Sequence, residues 1–376
     1  MNETWDLVVV GAGPAGTAAA LGALSARPGL RVLLLDRAGF PRDKPCGDGI
    51  APHVLDVLAG VGLTGLLDDW TPVHRLELSY RESRVSRPLR RPTWVVPRTV
   101  FDQRLVAAAI GRGAVLRVHR VRRVRPSGDG VLVDDDVLAP VVIGADGANS
   151  LARAAVGLTP SRRRAIALRG YTPTAAEHRG RQVIVYDGDR SQAYAWAFDR
   201  GDGLANVGYG ELSAGGTSRA ELLARLEALL PGTTTAGTGW RGHHLPLSSW
   251  RWAQPDGPVL LAGDAAGLVN PMTGEGIYYA VATGVLAGRA AADAVATGRP
   301  ESAGARYRSA VRALLARHLR HTAATARLAA IPTVLTAGMR AARRDQQIFD
   351  DLVEIGLGQG LLTRRVVAGL AGRGSD

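Results

Sequence analysis

The stretch Leu7-Val8-Val9-Val10-Gly11-Ala12-Gly13-Pro14-Ala15-Gly16 joins an apolar run to a glycine turn and then to a small-residue segment that reaches Ala26. The run reads as a strand over Trp5–Val10 and the segment as a helix from about Pro14 to Ala26. A second apolar strand, Arg31–Leu35, ends at Asp36, so the chain opens as a βαβ unit, which favours a parallel sheet covered by helices. In that setting Gly11 permits the tight turn, and Gly13 beside Ala15 lets the backbone approach a pyrophosphate. Gly16 allows close packing of helix on strand. The helix N-terminus attracts the anion. Asp36 lies twenty residues beyond Gly16, where a carboxylate accepts hydrogen bonds from ribose hydroxyls. Arg37 beside it is assigned to the same cofactor. Strand, turn, helix, strand and acid together predict a bound dinucleotide.

Two later turns choose between NAD and FAD. Gly144-Ala145-Asp146-Gly147-Ala148-Asn149-Ser150 follows the apolar strand Pro140–Ala145, and Gly263-Asp264-Ala265-Ala266-Gly267 follows Pro258–Ala262. Either one alone is an ordinary turn. Together they resemble the acidic-glycine motifs of the flavoprotein hydroxylases and their relatives. That resemblance implies FAD, with Asp146 near pyrophosphate and ribose and Gly263 and Asp264 at the ribityl chain. Arg98, in Pro97-Arg98-Thr99-Val100-Phe101-Asp102, is similar to that family's arginine at a helix start beside the flavin; the plainer reading is a surface helix start.

More specific segments lie outside the turns. Lys44-Pro45-Cys46-Gly47-Asp48-Gly49-Ile50 closely resembles the Pro-Cys-Gly loop of the geranylgeranyl reductase family, within the p-hydroxybenzoate-hydroxylase-like flavoproteins. Asn270-Pro271-Met272-Thr273-Gly274-Glu275-Gly276-Ile277-Tyr278-Tyr279-Ala280 looks like the same family's stretch after the second acidic-glycine turn, which assigns Gly274, Gly276 and Ile277 to the cofactor. Tyr194-Ala195-Trp196-Ala197-Phe198 and Asn206-Val207-Gly208 resemble its Tyr-x-Trp-x-Phe-Pro and Asn-Val-Gly signatures. The resemblance covers roughly residues 5–290. Where the family has Pro after Phe198 this chain has Asp199, a departure that bears on the substrate, because that strand faces it in relatives.

The implied fold is α/β: a Rossmann-like FAD-binding domain of the p-hydroxybenzoate hydroxylase type, a β-sheet substrate domain, and C-terminal helices. The expected division is 1–70, 97–160 and 250–298 for FAD, 71–96 and 161–249 for substrate, and 299–376 for the helices. Strands are expected at Val73–Tyr80, Thr93–Val96, Val115–Arg125 and Val131–Asp136, with a helix at Thr99–Gly111. Four more strands run from Ala165 to Tyr209. A helix follows at Ser218–Leu230, a long one begins near Gly274, and everything beyond Glu301 reads as helix. There Tyr307, Val311, Leu314, Leu315 and His318 form an apolar stripe, with Arg308, Arg312 and Arg320 off it.

Reduced flavin donates hydride through N5. An isolated alkene accepts hydride poorly, so a proton source must stand nearby. Cys46, the one cysteine of 376 residues, supplies it: an unperturbed thiol has a pKa of about 8.5 and is protonated at neutral pH. Gly47 and Gly49 let that loop approach the ring, so Cys46 and Gly47 also count as cofactor contacts. The alternative for Cys46 is a small buried hydrophobe. The helix start near Gly274 favours the anionic edge of reduced flavin. Tyr194, Trp196 and Phe198 alternate on one strand and either wall a channel for an apolar substrate or fill a core.

The expected activity is reduction of carbon–carbon double bonds in an isoprenoid-like or polycyclic apolar substrate. The alternative is monooxygenation, hydroxylation or epoxidation, on the same scaffold. Electrons come from NADPH or NADH docking transiently, or from a partner reductase or ferredoxin. One cysteine rules out an internal disulfide framework and a cysteine-based zinc site, and no metal is expected. The net charge of +12 rests on 46 basic residues, all arginine except Lys44. Their scatter speaks against nucleic acid and leaves anionic substrates or lipid headgroups. No stretch reads as a membrane span or signal peptide, so the expected place is the cytoplasm, with membrane contact at most peripheral.

Overall fold

The computed structural model describes residues 2–161, 163–213 and 215–372. Five parallel strands form one sheet, in the order Val259–Leu261, Val141–Gly144, Leu7–Val10, Val32–Asp36, Val115–Val118. The side chains of the first four are almost wholly buried, as both faces of a parallel sheet require, while Val115 and Val118 of the edge strand are exposed. Parallel strands end at one edge, so the three glycine turns emerge side by side. The backbone ties them: Gly11 N–H donates to Leu35 O at 2.6 Å, Ala145 N–H to Val10 O at 2.7 Å, and Ala262 N–H to Gly144 O at 3.0 Å.

Helix Pro14–Ala26 lies against helix Ile277–Ala296 along a seam of small residues. A Cβ on Gly284 would stand 2.2 Å from Ala15 O, and one on Gly288 would stand 1.9 Å from Ala19 O. Only glycine admits so close an approach. The long helix starts at Ile277 rather than near Gly274, because Gly274 has φ +72 and Gly276 is the N-cap.

The expected strand Val115–Arg125 is two strands. Val115–Val118 completes the parallel sheet. The chain then breaks at residues 119–123, where Asp134 Oδ1 accepts the amides of Arg122 and Arg123, at 2.8 and 2.7 Å. Val124–Ser127 restarts in a four-stranded sheet with Gly130–Val133, Val137–Ala139 and Glu3–Thr4.

The third sheet has eight strands, in the order Thr238–Pro246, Arg164–Pro173, Leu204–Leu212, Tyr194–Asp199, Arg181–Tyr186, Pro72–Tyr80, Ser83–Val95, Gly49–Ile50. Thr238–Pro246 and helix Pro52–Ala59 were not expected, and Thr93–Val96 is the tail of a thirteen-residue strand. Beyond it the chain is helical: Ala303–Ala329, Pro332–Arg344, Gln346–Leu357 and Arg364–Leu370. Tyr307, Val311, Leu315 and His318 are buried, Leu314 half-buried, and Arg312 and Arg320 exposed. Tyr307 Oη donates to Leu261 O at 2.7 Å, fastening this helix to the parallel sheet. No described helix is long and apolar enough to cross a membrane.

Candidate flavin and substrate site

The first turn is built as its glycines require. Gly11 has φ +98, a conformation L-residues rarely adopt, and a Cβ there would lie 2.3 Å from Ala145 O. Helix Pro14–Ala26 begins without a side-chain cap and without an acidic residue in its first turn, so its terminal amides face outward for an anion. Asp36 is buried. Its Oδ2 accepts Ala12 N–H at 2.9 Å and its Oδ1 accepts Ala38 N–H at 3.0 Å, which fixes the carboxylate at the turn. Arg37 beside it is exposed and makes no ion pair among the described residues. Arg42, from the following loop, reaches back over the turn, 3.6 Å from both Asp36 and Asp102, and a Cβ on Gly13 would meet it at 3.3 Å. Arg153 braces the other two turns, donating to Ala148 O at 2.7 Å and Ala265 O at 3.3 Å. Gly263 has φ +58 and packs against Ala15 and Ala280, while Asp264 takes Lys44 Nζ at 3.2 Å.

A cavity of about 510 Å³ opens beside these turns. One end is lined by Cys46, Gly47, Arg98, Asp264, Gly274 to Ile277, and His243. The far end is apolar, walled by Leu335, Met339, Phe349, Leu352 and Val353 of the C-terminal helices together with Leu76 and Leu78 of the sheet. Tyr194, Trp196 and Phe198 line it between the two, their rings 5.9 and 6.4 Å apart in succession. The Cys46 loop rests on that ladder: a Cβ on Gly47 would sit 3.5 Å from the Phe198 ring and 3.7 Å from Trp196 Nε1. Trp196 Nε1 donates to Asn206 Oδ1 at 2.8 Å, and Asn206 Nδ2 donates to Cys46 O and to Asp48 Oδ2, each at 2.8 Å. Tyr194 Oη donates to Thr273 O. Asp199 points the other way, as a period-two strand demands. It accepts Thr174 Oγ1 at 2.9 Å and Gly180 N–H at 2.6 Å and does not line the cavity. The residue that replaces the family's proline therefore forms no part of the cavity wall.

A family model described as FAD binding domain matches residues 4–205. The menaquinone reductase of Mycolicibacterium smegmatis is 36% identical over 316 residues, 76% of each chain. The geranylgeranyl diphosphate reductase of Rhodobacter capsulatus is 33% identical over 326 residues, 79% of this chain and 77% of that one. The chain belongs to the geranylgeranyl reductase family of FAD-binding oxidoreductases. A geranylgeranyl bacteriochlorophyll reductase-like protein from Thermoplasma acidophilum shares the fold at TM-score 0.80 and 21% identity, covering 99% of this chain and 97% of that one.

FAD is this family's cofactor, and the residues present suit it. The uncapped helix start and the glycine turn are fit to hold a pyrophosphate, and Asp36 a ribose. Asp146 uses Oδ2 to accept Leu151 N–H at 2.6 Å, while its Oδ1 is buried without a protein partner, an acceptor suited to a hydroxyl.

The cavity end near Cys46 is electrostatically dense. Arg98 is buried, not on the surface, and holds Asp102 in a two-pronged pair at 2.6 and 2.7 Å. Burial works against its charge, but Asp102 more than offsets this and raises its pKa. Burial pushes the Cys46 thiol up, against the opposing pull of Arg98. Burial likewise lifts Asp48 to about 6 and Glu275 to about 7. It lowers His243 to about 4, so this ring is neutral at pH 7. Sequence reasoning left Arg42, Arg153, Asp48 and Glu275 unassigned. Each of the two arginines has one partner far off along the chain, Asp102 for Arg42 and Ala265 for Arg153; Asp48 and Glu275 were in view inside quoted motifs.

Proposed function

We propose that this chain reduces carbon–carbon double bonds of a prenyl chain carried by a lipid or quinone. The observation that carries this reading is the cavity itself, lined by the Cys46 thiol at one end, by aliphatic side chains at the other and by the aromatic ladder between them. The family relatives named as reductases of menaquinone and of geranylgeranyl diphosphate support a substrate of that class.

Bound and reduced, FAD supplies the hydride. The protein does the rest. Tyr194, Trp196 and Phe198 hold the chain flat and exclude water, raising the effective concentration of the aligned double bond. Cys46 presents its proton to the neighbouring carbon, and Asn206, fixed by Trp196, keeps the loop at that position. The N-terminus of helix Ile277–Ala296 lines the same end and favours negative charge there. Aliphatic side chains of the C-terminal helices receive the remainder of the chain.

The test is an anaerobic one. Holoprotein reduced with a chemical donor is mixed with prenylated quinone or prenyl lipid, and recovery of the oxidised flavin spectrum is followed. Recovery with a saturated product supports the reductase. An oxygenated product formed only when oxygen is admitted makes it a monooxygenase instead.

A further inference from the structure

Glu275 has no part in the chemistry described so far, yet its side chain lines the same end of the cavity as Cys46. The two loops stand side by side on the aromatic ladder. A Cβ on Gly274 would lie 3.4 Å from Tyr194 Oη, Tyr194 and Trp196 rings are 5.9 Å apart, and Gly47 backs onto Trp196. Glu275 Oε1 accepts Tyr278 N–H at 2.8 Å at the start of the long helix. No side chain among the described residues hydrogen-bonds its carboxyl.

We propose that Glu275 is the acid that restores the Cys46 thiol after each reduction, an inference that rests on the reductase reading above. The alkene gains a hydride from the reduced cofactor at one carbon and the S–H proton of Cys46 at the other, leaving a thiolate. The O–H bond of protonated Glu275 then breaks, its proton re-forms S–H, and the carboxylate takes a proton from water. The alkene is reduced by two electrons and the cofactor, re-reduced by a nicotinamide or protein donor, is oxidised by two.

The direction of transfer follows from the surroundings. The charged groups beside Cys46 are Arg98, Asp48 and Glu275, and the Tyr194 hydroxyl is a further titratable neighbour. Those facing Glu275 are His53, Arg98 and, among ionisable hydroxyls and thiols, Tyr194, Tyr279 and Cys46. His53 is itself tied to Glu354 at 2.8 Å. A carboxyl titrating near neutrality beside a thiol held above its ordinary range passes its proton downhill, by roughly tenfold per unit of difference. Asp48 is less suited. It is wholly buried, does not line the cavity, and has one oxygen occupied by Tyr171 and Asn206.

Because Cys46 is the chain's one cysteine, alkylation of the FAD-loaded protein by iodoacetamide reads this thiol alone, without substrate. In Glu275→Gln the nearby negative charge is gone, so alkylation at pH 8 rises by roughly threefold or more and its pH profile shifts to lower pH. In the second arm, reduced enzyme is mixed anaerobically with prenylated quinone. The first turnover of the variant slows by less than about threefold, while steady-state turnover falls by about tenfold or more, with partial rescue in Glu275→Asp. An alkylation profile that superimposes on wild type, or equal losses in first and later turnovers, overturns the proposal. Should wild-type enzyme fail to reduce any prenyl chain, the reductase reading falls with the relay built on it, and the alkylation arm still shows whether the two groups are coupled.

Discussion

Single residues carry most of the chemistry, and each makes a separate demand. Cys46→Ser keeps the loop's size and its hydrogen bond from Asn206 but replaces the thiol with a much weaker acid. Turnover is expected to fall by roughly a hundredfold, the scale of a lost general acid, with FAD content unchanged by absorbance. Arg98 and Asp102 are both buried, so Asp102→Ala leaves a guanidinium without its partner. Thermal or urea unfolding should show a loss of about 3–5 kcal/mol.

Asp48 gives a pH signature. Burial raises its folded pKa from 3.8 to about 6. A raised carboxyl favours the folded state fully below the unfolded pKa and loses that advantage as pH climbs through the folded one. Stability should therefore decline between roughly pH 4 and 6, by up to about 3 kcal/mol at 1.36 kcal/mol per unit. Asp48→Asn should remove this slope. Its amide oxygen still accepts from Tyr171 and Asn206, and asparagine tolerates the φ of +60 found there. Denaturant midpoints measured across that range check it, and a slope that survives in the variant contradicts it.

At the scale of elements, what was legible and what was not has a physical cause. The glycine turns were readable because a tight backbone at Gly11 and Gly263 leaves a local mark on sequence. Helix Pro14–Ala26 and the buried strands were readable from unbroken apolar runs. Strand Ser83–Val95 was mostly hidden, since it carries Pro88, Pro92 and four arginines, and its pairing partners rather than its own pattern make it a strand. Strand Thr238–Pro246 is largely exposed on both faces and so shows no alternation. The brace at Arg153 and the reach of Arg42 depend on contacts across the fold, which no local pattern encodes. The seam between helices Pro14–Ala26 and Ile277–Ala296 went unread for the same reason. Gly288→Ala would push a methyl into Ala19 O. It should lower stability by about 1–3 kcal/mol and, because that seam sets the first turn against the third, weaken FAD retention on gel filtration.

For the whole molecule, the C-terminal helices matter most to the reading. They carry no motif, yet they close the cavity. Asn270, in the loop beside the cofactor end, donates to Ile355 O at 2.8 Å, and Thr273 Oγ1 donates to Gly356 O at 2.7 Å. The loop after the third glycine turn is thus tied to the C-terminal helices, and both line one cavity. On the proposed function, that arrangement is what would fit a dinucleotide fold, common to many oxidoreductases, to a long hydrocarbon. The decisive measurement is the mass of the product formed when anaerobically reduced holoprotein meets a prenylated quinone, taken after air has returned any quinol to quinone. The account predicts two added hydrogens that persist in the side chain; a substrate recovered unchanged, with only its ring having cycled, would contradict it.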